Sequence, residues 1–146
     1  TYWKRQSPPP GMLTFDAPTR ETCTVRRPRT NTPLQALSLL NDPTYVEAAR
    51  ALAERMMKEA GGTPTVRIQF AFQLATSRIA ESAEIEVFLE VFLKQLQIYR
   101  HNQQAAKKLL SVGSSQRDSS LDIAEHAAWT TVASMILNLD ETISKQ

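Results

Sequence analysis

A single cysteine, Cys23, stands in the whole chain, so no internal disulfide can form and no second thiol is present for a redox pair or a four-ligand zinc site. Four glycines leave little material for a backbone cradle around phosphate, and no GxSxG, HExxH or CxxCH motif occurs. Histidine is nearly as scarce, with only His101 and His126 available for proton or metal chemistry. No apolar run is long enough to cross a bilayer. The opening TYWKRQ has neither an initiator methionine nor a charged-then-apolar leader, so the chain reads as an excerpt or a processed product.

What is present is globular in character. A chain of 146 residues, 42% apolar and 22% charged, suits one compact domain whose core needs neither disulfide nor metal. Its net charge of +2 is unevenly spread. Residues 1–35 carry six basic side chains against two acidic ones, whereas the other 111 residues carry eleven against thirteen. Attraction for anions is therefore expected to be local to the N-terminal segment, which argues against a general nucleic-acid coat.

Residues 1–33 hold six of the eight prolines and no sustained helical period. They read as an extended strap anchored by Trp3, Met12, Leu13 and Phe15. After it, three helix starts share one device, a capping side chain followed by proline: Thr32-Pro33, Asp42-Pro43 and Thr63-Pro64. The spacing predicts helices over about 33–40, 43–60, 64–76, 81–99, 103–111 and 121–137. Leu34, Leu37 and Leu40 fall on one side of the first, and Tyr45, Ala49, Leu52 and Met56 are at core spacing in the second. The third carries Val66, Phe70 and Leu74 on one face and Ile68 and Phe72 on another, which predicts burial on most sides. The fourth has a stripe of Ile85, Leu89, Phe92, Leu96 and Tyr99 that requires a partner helix. The alanines of the last, beside Val132 and Ile136, would admit a neighbour closely. The expected fold is an all-α helical bundle of about five or six helices, with residues 1–32 as a Pro-rich strap and 33–146 as the helical body.

Few residues point to chemistry. Asp122 and His126 are four apart on a helix and can share a proton or metal, although capping is the commoner role for such a pair. Cys23 lies among cations that favour a thiolate, yet no histidine is near it in sequence, and a buried packing role is expected. A helix-turn-helix reading fails on Glu47, Glu54 and Glu59, which would repel phosphate from the second helix. The densest polar feature is the run around Arg20, Arg26, Arg27 and Arg29, joined by Asn31 and Gln35. Those groups either hold an anion or partner beside a helix start, or tie the strap to helix ends by bidentate bonds.

The stretch RETCTVRRPRTNTPLQALSLLNDP, the opening TYWKRQSPPPGMLTFDAPT and the closing AWTTVASMILNLDE together resemble the C-terminal part of the planctomycete PSD-type domain, catalogued as domain of unknown function 1553. The segment ATSRIAESAE is looser, with Ser77 where that family commonly has glycine. The resemblance implies an extracytoplasmic setting at the C-terminal end of a large exported multidomain protein, and it brings no established activity. Any haem of such a parent would be attached elsewhere, so no cofactor is expected in this chain. Asn138, Asp140 and Glu141 are expected to approach the basic block and form a salt network with it. The favoured reading is a non-enzymatic interaction or scaffolding module whose partners are other domains of the parent. The rival is part of an enzyme, or a unit that binds anionic glycan through residues 20–29.

Overall fold

The computed structural model describes residues 9–18, 23–26 and 30–143. Eight helices and no strand occur among them: α1 (Pro10–Thr14), α2 (Pro33–Asn41), α3 (Pro43–Glu59), α4 (Pro64–Thr76), α5 (Ser82–His101), α6 (Gln103–Leu110), α7 (Ile123–Leu137) and α8 (Asp140–Ile143). The six longer helices fall within two or three residues of their predicted bounds. The short α1 and α8 were not predicted, and α1 corrects the expectation of a wholly extended strap. Pro10 at its first position loses no hydrogen bond, so one helical turn forms there without a longer apolar period.

Proline and cap together set two of the three predicted starts. Thr32 accepts from the Gln35 N–H while the Gln35 side chain accepts from the Thr32 N–H, and Asp42 accepts from the Thr44 N–H. Thr63 makes no such bond, so at α4 proline acts alone.

The bundle is built around α7. This helix is buried or half-buried on every side, with Ala124, Ala127, Ala128, Trp129, Val132, Ala133 and Ile136 all buried. Its alanines let α3 and α5 lie directly against it, with α6 beside them. Trp129 stacks on Phe92 of α5, ring centroids 3.9 Å apart, and Phe72 of α4 meets Phe88 edge-on at 5.3 Å. The α5 stripe thus finds its predicted partner. From α3, Ala49, Ala53 and Met56 enter the core, whereas Tyr45 remains partly exposed with its ring 5.9 Å from Phe15.

Burial of α4 on most sides is not observed. Ile68, Ala71 and Phe72 face the core, while Val66 and Leu74 stay exposed because α3, α5 and α7 all lie on the first face. Where α4 ends, Ser77 adopts the left-handed conformation (φ 62°) and donates its N–H to Gln73 O. That explains why a glycine suits this position. Ser77→Gly is expected to stabilise the fold by about 0.5–1 kcal/mol, read as a raised midpoint in urea denaturation. Beyond the turn, Arg78 clasps Glu84 and Glu141, each at 2.6 Å, and so ties the α4–α5 corner to α8.

Candidate functional site

Among the described residues, polar groups of the strap meet at Gln35 of α2. Gln35 is α2's one buried residue, and both ends of its amide are engaged. Its Oε1 accepts the Thr32 N–H (2.9 Å), and its Nε2 donates to Thr14 O (2.8 Å) and Thr30 Oγ1 (3.0 Å). Asp16 completes the knot, accepting from the Thr30 N–H (2.9 Å) and hydroxyl (2.7 Å). Those bonds from Thr30 hold the Asp16 carboxyl below the usual carboxylate range. Asn31 donates to Asp140 at 2.6 Å, joining the same segment to α8. Of the three C-terminal groups expected near this block, Asp140 reaches it, Glu141 turns to Arg78, and Asn138 caps α7.

The knot fixes how α2 faces. With Gln35 turned inward, Leu34 and Leu37 point away from the bundle, 59% and 57% exposed, and Leu40, 45% exposed, lies at the edge of a pocket it shares with α3, α5, α6 and α7. An amphipathic helix ordinarily buries its leucines and exposes its amide; α2 does the reverse. The Thr32-x-x-Gln35 spacing is the sequence signal for it, because a residue that reaches back to the cap is held on the capping side.

Arg26 lies exposed beside Cys23, which is also exposed rather than packed in the core. No helix forms over residues 23–26, so no apolar face carries the thiol inward. Arg20, Arg27 and Arg29 lie outside the described residues.

A second polar cluster, which no sequence motif announces, holds the connection after α6. Arg50 of α3 is only 3% exposed, donating from Nη1 to Leu110 O and from Nη2 to Ser115 O, both at 2.8 Å. Glu47, one turn earlier, accepts the N–H groups of Ser114 and Ser115 at 2.8 Å and the Ser115 hydroxyl. These bonds lower the Glu47 pKa to about 2. The backbone comes this close because residue 113 is glycine: with φ at +101°, an added Cβ would stand 2.6 Å from Glu47 Cδ. Lys58, from the last turn of α3, pins the same connection through Asp118 at 2.5 Å.

His126 sits beneath this cluster, fully buried, with Nε2 against the carbonyl oxygen of Arg50 at 3.3 Å. Asp122 caps α7 through the Glu125 N–H, so the two do not share a proton or ion. Among the described residues no group of three or more His, Cys, Asp or Glu side chains is placed to hold a metal. Burial pushes the His126 imidazole below its ordinary 6.5, opposed by the Arg50 carbonyl and Glu54 and reinforced by Arg117 and Arg50. Below pH 6.5 the unfolded chain takes up a proton that the folded imidazole refuses. Stability is therefore expected to decline as pH falls from 6.5, by no more than about 1.4 kcal/mol per unit. Urea midpoints at pH 7.5 and 5.5 measure this decline, and His126→Gln should flatten it.

These features define a small all-α domain with a polar knot at its N-terminal end and an outward-facing leucine stripe. Residues 1–92 match the family described as PSD1, protein of unknown function (DUF1553), and the chain belongs to that family. No curated protein and no solved structure matches it. Among the described residues, no helix is long and apolar enough to cross a membrane.

Proposed function

We propose that this domain is a non-enzymatic interaction or scaffolding module within a larger exported, extracytoplasmic protein, and that α2 is the surface on which another domain of that protein docks. The observation that carries this reading is the inversion of α2, which buries Gln35 and leaves Leu34, Leu37 and Leu40 in solvent. A helix held in that orientation by five hydrogen bonds through one residue presents apolar area that a partner would cover. The rival, an anionic-glycan site, would draw on Asn31 and Gln35 beside the arginines. Their amide nitrogens are already engaged by Asp140, Thr14 and Thr30, which favours the scaffold.

The test is Leu34→Asp combined with Leu37→Asp. Since both side chains are exposed, the isolated chain is expected to keep its stability to within about 0.5 kcal/mol per substitution. In the longer protein, limited trypsin digestion should release the substituted domain, whereas the unsubstituted one stays bound to its neighbour through gel filtration. Co-elution of the substituted domain would count against docking on α2.

A further inference from the structure

We infer that the pocket between α2, α3, α5, α6 and α7 is a binding site for a neutral, ring-sized molecule carrying one hydroxyl or carbonyl group. Leu40 of α2 stands at its edge, so a partner docked on α2 would border the site, and binding is tested on the chain by itself. Its volume is about 200 Å³, larger than the cavity of about 150 Å³ that suffices for benzene. Val46, Leu109 and Met135 supply aliphatic walls, and no lining residue is charged, so an ion would lose its hydration there without compensation.

Polar groups are confined to one side. Thr130 and Thr131 donate back to the carbonyl oxygens of His126 (2.8 Å) and Ala127 (3.2 Å), which leaves hydroxyl lone pairs as acceptors. The Tyr99 hydroxyl makes a long contact of 3.4 Å to Thr131 Oγ1, and Ser134 adds a further hydroxyl to the lining. A partly open apolar pocket with a few hydroxyls on one wall orients a ligand that has an apolar body and a single polar end. A phenol meets that description, and a carboxylate of the same size does not.

The probe is p-cresol, added to the full chain labelled with 13C at its methionine methyls. Of the four methionines, Met12, Met56, Met57 and Met135, only Met135 lines the pocket. The expected result is a saturable shift of the Met135 resonance alone, with a dissociation constant of about 1 mM or below. Toluene, lacking the hydroxyl, should bind about tenfold more weakly, and benzoate should leave the spectrum unchanged. Ser134→Leu fills the pocket and should abolish the shift; should that variant fail to fold, Val46→Phe serves the same purpose. No saturable shift at Met135, shifts spread equally over all four methyls, or binding of benzoate as tight as p-cresol would overturn the assignment.

Discussion

Arg50→Ala is expected to destabilise the fold by about 3–5 kcal/mol, the range for breaking a buried charged network by removing one partner. The Arg50 guanidinium is the bridge between α3 and the chain that follows α6, meeting Leu110 O and Ser115 O at 2.8 Å each. Without it the buried Leu110 carbonyl is left with no donor, the Ser115 carbonyl loses its tie to α3, and the Glu47 carboxylate 3.7 Å away loses its counter-charge. Arg50→Lys should recover less than half of the loss, because one ammonium cannot reproduce a fork that spans two carbonyls. Urea denaturation gives the free energies. Hydrogen exchange at Ser114 and Ser115 shows whether the loss begins at the connection, and a loss below about 1 kcal/mol would show that it is not held by this side chain.

Trp129→Ala should cost a similar amount, about 3–5 kcal/mol. Trp129 has no exposed surface and stands where α4, α5 and α7 meet. Phe92 stacks on one face at 3.9 Å, the Arg67 guanidinium lies 5.7 Å from its ring, and its Nε1–H points to Glu125 at 3.4 Å. Alanine leaves a void bordered by small residues on a helix that already packs closely, so little can move in to fill it. Trp129→Phe keeps most of the packing and should cost less than half as much. Differential scanning calorimetry distinguishes the two, and equal losses would mean that the indole's polar contacts, rather than its volume, hold the core.

Much of this architecture is legible in the order of the residues. Local chemistry sets the helix starts, because Thr32-Pro33 and Asp42-Pro43 act within one turn. The α5 stripe and the alanines of α7 likewise identify their buried faces by periodicity alone. The facing of α2 is different. It depends on Gln35 reaching Thr14, 21 residues back, and on Asn31 meeting Asp140, 109 residues on, distances over which residue patterns carry no signal. Three leucines at helical spacing would ordinarily mark the buried side, and here they mark the outer one. Arg50 reads in sequence as one more exposed basic residue, and its role rests on carbonyl groups 60 and 65 positions away. Cys23, expected inside on its residue type, lies outside because no helical face directs it toward the core.

The pH response separates the buried histidine from the hydrogen-bonded carboxylates. His126 acts between pH 6.5 and its lowered folded value, whereas the carboxyls held down by hydrogen bonds, Glu47 and Glu84 at about 2, keep their contribution until pH falls below their ordinary 4.5. A stability profile with two descending steps is the signature of that arrangement.

We propose that α2 is held inside out so that its leucines meet a partner. It is tested most directly by hydroxyl-radical footprinting of Leu34, Leu37 and Leu40, in the isolated chain and in the longer protein that carries it. Strong modification of all three is expected in the isolated chain, with protection of the same residues in the longer protein. Equal modification in both would contradict it.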